Sequence, residues 1–534
     1  MSDKKSRARL WAVAATAAAL VGGLAAVPAA AAPTIDIDPA ATGSIVVHKF
    51  EQPQLAQLEG NGLPTQLDTT DWTPLGDVRF TATRVPGIDL TTDAGWASAT
   101  DLTVAGAAAA VNGLAPDADE TTANAGADLG QATLDDLPLG LYYVAEHLTS
   151  AQLASGLTPS APFLVTVPLT DPIATDTWLY DVHVYPKNNA DAITKSVRDE
   201  DTIGILDPAN ANENRVVWTI DASIPEGGQS DAYRIVDDLD ARLDYVAGDT
   251  TVAITGLAGS ASQLVAADYT VAATEETTLI GSADVVAGHT RVTVTLTPSG
   301  LAKIWAAKQA NDDAQVQLAL ATTSNAIGDG VIPNNAVLFP NQYQIDNNPG
   351  GIPSNEVETR LGSIEIVKTD MDDTLLLPGA EFAVFLDEAE AREGDLADAI
   401  DIPGRPAGTK VVTTDAQGEA VIPGLRLSNF VNGARVDATD ADYRLYYLVE
   451  ITAPVFAGQQ YELLADPIVV DLVDAGATAG PFVYEAEVRN APHNAGFALP
   501  LTGGTGATIF VLVGLGAVLV GALLLVRRRA TSAA

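Results

Sequence analysis

At 534 residues the chain is long enough for three or four domains of ordinary size, and 47% hydrophobic with 18% charged residues marks folded material. A net charge of -41 excludes a basic nucleic-acid surface, and the lack of any cysteine excludes disulfides, thiolate metal sites and thiol catalysis. Ala, Thr and Gly dominate where a helical core would carry Leu, so β-rich domains are expected.

Residues 1–32 begin with Lys4, Lys5, Arg7 and Arg9, continue as an apolar Ala/Leu/Val run and end in small residues, the pattern of a cleaved export signal. The remaining body is very acidic and holds seven lysines, so each lysine asks for a reason. In GSIVVHKFE (43–51), Ile45, Val47 and Lys49 alternate in step, which turns the lysine inward with the core. An inward lysine is costly unless it is neutralised or paired. Downstream, LYYVAEH (141–147) brings Glu146 inward together with Tyr142 and Val144. WLYDVHVYPKNN (178–189) reads as a strand ended by Pro186, which would release Lys187 from ladder pairing as an exposed, flexible amine.

The alternation recurs in DAITKSVRD (191–199), with Ile193, Lys195 and Val197 on one face, and in GSIEIVKTD (362–370), with Ile364, Ile366 and Lys368. YRIVDDLDARLDYV (233–246) turns Asp237 inward and Asp238 to solvent, and a helix near 299–314 carries Lys303 and Lys308 as ordinary surface lysines. RLYYLVEITAP (444–454) turns Tyr446, Leu448 and Glu450 inward. In PFVYEAEVRNAP (481–492), Asn490 keeps step with Phe482, Tyr484, Ala486 and Val488.

Short strands, frequent Gly/Pro/Asn/Asp turns and few long amphipathic helices predict an all-β chain of three tandem immunoglobulin-like sandwiches. The expected boundaries are 33–189, 190–360 and 361–496, with APHNAG (491–496) as a linker and 497–534 as a tail. In that tail LPLTG, formed by Leu499, Pro500, Leu501, Thr502 and Gly503, precedes an apolar run at 507–526 and then Arg527, Arg528 and Arg529. The run is long enough to cross a bilayer as a helix, with the arginines left on the cytoplasmic side. Asp-rich turns at 36–40 and 369–374 read as solvated, and five scattered histidines lack metal-ligand spacing, so neither metal nor cofactor is expected.

The LPLTG-span-arginine arrangement resembles the sorting signal of Gram-positive surface proteins. That resemblance implies a sortase that cuts between Thr502 and Gly503 and holds the threonine as a thioester. WLYDVHVYPKNN is similar to the pilin motif WxxxVxVYPKN through Trp178, Val182, Val184, Tyr185, Pro186, Lys187 and Asn188, which implies an intermolecular amide between Lys187 and Thr502 of another copy. YYLVEITAP resembles the pilin E-box, YxLxETxAP, with Ile451 where Thr is usual. The family uses the glutamate matching Glu450 to promote an intramolecular bond between a lysine and an asparagine.

Carried onto this chain, the resemblance implies three such sets in Cna-type sandwiches: Lys368, Asn490 and Glu450 in a Cna-B-like third domain, Lys195, Asn355 and Asp237 in the second, and Lys49, Asn188 and Glu146 in the first. Burial lowers a lysine's pKa and keeps a carboxyl protonated, so a neutral amine can attack an amide polarised by the acid, and ammonia leaves. The whole pattern resembles the major shaft pilin of sortase-assembled pili, of the corynebacterial SpaA type and the actinomyces fimbrial type. Implied partners are a class C pilin sortase, a housekeeping sortase with peptidoglycan, other copies of the chain, tip and base pilins, and an unidentified receptor; nucleic acid is not among them. The protein would be a polymer unit rather than a turnover enzyme, exported and wall-anchored after a transient membrane stage. A base or accessory pilin and a monomeric wall-anchored adhesin are the alternatives.

Overall fold

The computed structural model describes residues 37–51, 61–64, 72–174, 177–200, 215–226, 228–257 and 264–493. The export signal, LPLTG and the apolar run lie outside them. Among the described residues no helix is long and apolar enough to cross a membrane. Residues up to 148 and 159–188 form one compact unit, and residues 149–158 with 189 onward form a second.

In the first unit, strand Thr42–His48 lies between Asp181–Val184, to which it is parallel, and Gln131–Pro138, to which it is antiparallel. A four-stranded sheet, ordered Ala118–Thr121, Arg79–Arg84, Gly140–His147 and Phe163–Val167, supplies the other layer. Ile45, Val47, Phe80, Leu134, Tyr142, Val144 and Val182 fill the space between them. Two short helices, Asp93–Asp101 and Val104–Val111, begin where Thr92 and Thr103 accept hydrogen bonds from backbone amides of the first turn. They cover a second apolar cluster that includes Leu90, Val111 and Leu141.

The second unit holds two sandwich cores. One is drawn from residues 193–361 and centres on Trp218, Tyr233, Ile235, Val294, Leu318 and Leu338. The other, from 364–488, centres on Ile364, Phe382, Ile422, Tyr446, Leu448 and Val488. A single 14-residue strand, Val357–Asp370, serves both: its first half pairs with Val331–Asn334, its second with Glu419–Arg426 and, in parallel, with Val483–Asn490. The expected boundary at 360 therefore falls inside a continuous strand. Segment 149–158 packs with this unit because Gln344 donates to Leu157 O (2.9 Å) and Asp191 N–H to Gly156 O (2.9 Å).

The repeated GSI of residues 43–45 and 362–364 has a steric cause. Ser44 and Ser363 donate their N–H groups to Tyr180 O and Phe482 O, opening the parallel pairing of a first strand with a last one. A Cβ at Gly43 would sit 2.2 Å from Tyr180 O, and one at Gly362 would sit 2.7 Å from Phe482 O. Glycine is required at both positions by the approach of the partner backbone.

Two surface expectations are corrected here. Lys308 is buried and paired with Glu226 (2.6 Å), because the helix Pro298–Ala310 lays that face on the sandwich; Lys303 stays half-exposed beside Asp268. Asp238 is not solvated: it accepts from Arg291 Nε (2.5 Å) and Ile280 N–H (2.6 Å) across the sheet.

Candidate functional site: three buried lysines and one at a strand end

Lys49, Lys195 and Lys368 are all buried, as the alternation of their strands requires. Facing each is an acid four residues after a buried tyrosine: Glu146 after Tyr142, Asp237 after Tyr233, Glu450 after Tyr446. Each tyrosine donates its hydroxyl to a backbone carbonyl, at Pro138 (2.5 Å), Ser223 (2.6 Å) and Arg426 (2.6 Å), which anchors the strand carrying the acid. Burial pulls all three amines down to about 8, against the opposing attraction of the neighbouring carboxylates. It also raises the Asp237 and Glu450 carboxyls, offset in part by Lys195 and by hydrogen bonds from Asn490 and Leu464 respectively.

The first set is fully assembled. Lys49 Nζ donates to Glu146 Oε2 (2.9 Å) and to Asn188 Oδ1, while Asn188 Nδ2 donates to Glu146 Oε1 (2.5 Å). Ser160, which carried no signal in the sequence, completes it: its N–H donates to Asn188 Oδ1 (2.9 Å) and its hydroxyl to Glu146 Oε2 (2.7 Å).

In the third set Asn490 Nδ2 donates to both Glu450 oxygens (2.7 and 2.9 Å), and Leu464 N–H to Oε2 (2.9 Å). Lys368 Nζ donates to the backbone oxygen of Val488 (3.3 Å), on the strand that carries Asn490, and to that of Thr369 (3.4 Å) on its own strand. Asn490 Oδ1 is buried and has no partner among the described residues. A half-turn of this carboxamide would present that oxygen to the acid, the orientation in which a protonated Glu450 polarises the carbonyl. Ile451, the departure from the E-box pattern, packs outward in an apolar cluster with Ala383 and Phe385 and leaves Glu450 undisturbed.

The second set differs from expectation. Lys195 Nζ meets Asp237 Oδ2 at 2.5 Å, but Asn355 is exposed and its carboxamide bridges the backbone N–H and C=O of Lys195 (2.9 and 2.8 Å) instead of reaching the amine. Asn355 stands just before the strand Val357–Asp370, where it substitutes for a missing ladder partner. The buried amide near this pair is Asn334, close enough to favour the charged form of Asp237 yet without a hydrogen bond of good geometry on either polar atom. Its alternation with Ile332 was a usable signal. It lies 139 residues after its lysine, as Asn188 does after Lys49.

Lys187 is also placed differently. Pro186 does not end pairing: Lys187–Ala190 resumes as a strand, with Lys187 opposite Phe50 and Asn188 opposite Glu51. Alternation sends Asn188 inward and Lys187 outward, where its ammonium lies 4.9 Å from the centre of the Trp72 ring, half-buried. Trp178 stacks on Trp96 at 5.4 Å, and Val182 and Val184 sit opposite Ile45 and Val47, so the apolar positions of that motif fasten the last strand to the first.

Residues 40–189 match the family described as Gram-positive pilin subunit D1, N-terminal domain, and residues 491–532 match the LPXTG cell wall anchor motif. The chain is 32% identical to the fimbrial subunit type 1 of Actinomyces viscosus, over 94% of both proteins. The chain belongs to the Gram-positive pilin family. The pilin's fold is similar to that of the full-length major pilin SpaD of Corynebacterium diphtheriae, with TM-score 0.61 and 24% identity over 86% of this chain and 99% of that one. It is also similar to the C. diphtheriae major pilin SpaA, described as a modular assembly with stabilising isopeptide bonds, with TM-score 0.57 and 25% identity over 84% and 100% of the two chains. The pilin is a structural subunit of a pilus anchored to the cell wall, built of immunoglobulin-like domains, and not an enzyme; sortase and other pilin subunits are its partners.

Proposed function

We propose that this pilin forms the shaft of its pilus, with Lys187 of one copy joined to Thr502 of the next by a class C sortase. The amine of Lys187 attacks the threonyl thioester: the C–N bond forms, the C–S bond breaks, the sortase thiol is released and the nitrogen gives up its proton. A housekeeping sortase then passes the finished polymer to peptidoglycan, and tip and base pilins join the same chain of transfers.

The observation that carries it is the division of labour between neighbours in the strand Lys187–Ala190: Asn188 is buried in the first interior set while Lys187 faces outward. Three internal amides, Lys49–Asn188, Lys195–Asn334 and Lys368–Asn490, would form once each, promoted by Glu146, Asp237 and Glu450. In each, Nζ attacks Cγ, the Cγ–Nδ2 bond breaks and ammonia departs. These bonds tie the opening strand of residues 33–189, 190–360 and 361–496 to a later segment of the same domain, where other exported proteins use disulfides.

Cell-wall extracts run on denaturing gels test the shaft role. A high-mass ladder that Lys187→Arg and Thr502→Ala each abolish is the expected result. A single band from the unaltered chain would point instead to a base pilin or a monomeric wall-anchored adhesin.

A further inference from the structure

Lys187 is a long side chain with four rotatable bonds, and an amine that must enter another protein's active site loses that freedom on the way. The surface around it is built to take that loss in advance. Trp72 covers the Lys187 ammonium at 4.9 Å, and Phe50, the residue opposite Lys187 in the parallel pair, meets the Trp72 ring edge-on at 5.2 Å and 83°. The backbone on either side of Trp72 is clipped to the same strand: Glu51 N–H donates to Thr73 O (2.9 Å), Leu75 N–H to Lys49 O (2.9 Å), and Phe50 forms a bridge with Pro74. Trp72 is thus held by the strand segment that carries Lys49 on its inner face.

We propose that Trp72 is a positioning residue for intersubunit bond formation, which with Phe50 forms an aromatic platform that fixes the Lys187 amine for acylation. This rests on the reading of Lys187 as the acceptor. A half-buried cation-ring contact holds a side chain by a modest amount, enough to narrow its rotamers but weak enough to release the amine into a bond. The same cover desolvates the ammonium, and the Lys187 amine is accordingly lowered from its ordinary value. A ring that holds and partly desolvates the ammonium on the outward face of the strand supplies the restricted freedom that a pre-aimed nucleophile needs.

The test is sortase-catalysed ligation of an LPLTG peptide to the mature pilin, followed across pH with the acceptor concentration varied. Trp72→Ala is expected to lower acceptor kcat/KM about tenfold, mainly through KM, and to move the alkaline limb of the profile toward that of an ordinary lysine. Trp72→Phe should restore most of the rate, since it returns a ring face. Intact mass and thermal midpoint report whether Trp72→Ala leaves the interior of the first unit unaltered. Wild-type kinetics with an unchanged pH profile in Trp72→Ala, or no recovery in Trp72→Phe, would overturn the platform. Continued ligation in Lys187→Arg would overturn the acceptor assignment itself, a separately readable failure.

Discussion

A lysine buried beside one carboxyl and one amide has two ways to lower its energy: keep an ion pair in a poor solvent, or lose its charge for good. With amines held near 8, roughly a tenth are neutral at pH 7, a standing population of nucleophile that an ordinary lysine lacks. An amide product would end the titration altogether. In Asn490→Ala the bond cannot form, and the Lys368 amine titrates near 8 when folded but near 10.4 when unfolded. Between those values the unfolded chain binds more protons, so stability of the variant falls as pH drops from about 10 to about 8 and is level below that. The gap from the bonded protein should widen by about 3 kcal/mol across this window, read from urea midpoints at each pH. A gap independent of pH would contradict a charged, buried Lys368. For the middle set, intact mass decides between two asparagines: Asn334→Ala should retain one ammonia more than the unaltered body, while Asn355→Ala should retain none.

At the scale of elements, the repeated device is a first strand laid parallel against a last one, begun by a glycine. Thr42–His48 on Asp181–Val184 and Val357–Asp370 on Val483–Asn490 share it, including a register shift just after the glycine. Parallel pairing of these strands sets Asn188 opposite Glu51 and Asn490 opposite Asp370, each two residues beyond its lysine and so on the lysine's face. Gly43→Ala and Gly362→Ala should each destabilise their sandwich by about 1–3 kcal/mol through overpacking against a carbonyl. The larger loss is expected at Gly43, where the approach is tighter. Absent effects in chemical denaturation would mean that the strand pair tolerates a Cβ there, and equal ones that the tighter approach at Gly43 does not set the cost.

For the whole molecule, the three proposed bonds would close loops of 139, 139 and 122 residues in a chain without cysteine. Each would restrict the unfolded chain by about 5 kcal/mol in the chain-entropy account. Glu450→Ala should therefore lower one calorimetric transition by about 10–20 °C and leave the others in place. A uniform shift of every transition would show that the domains do not melt as separate units. In a shaft, where tension runs through every copy from Lys187 to Thr502, such closure would keep a partly unfolded subunit from extending.

Side-chain alternation alone turned Lys49, Lys195, Lys368, Glu146, Asp237 and Glu450 inward, and the structure buries all six, because the face of a strand is a local property with a period of two. The motifs around Lys187 and Thr502 were likewise contiguous in the chain. Which asparagine meets a given lysine was not local: it depends on the register of strands more than a hundred residues apart, and so Asn334, not Asn355, lies by the Lys195–Asp237 pair. Ser160 beside Glu146 and Trp72 over Lys187 were hidden for the same reason, since each arrives from a loop with no periodic pattern. Sequence thus determined which side chains enter the interior and where the pilin and sorting motifs lie. Only the tertiary structure decided their partners, because pairing across a sandwich is set by non-local register and by the close approach of one backbone to another.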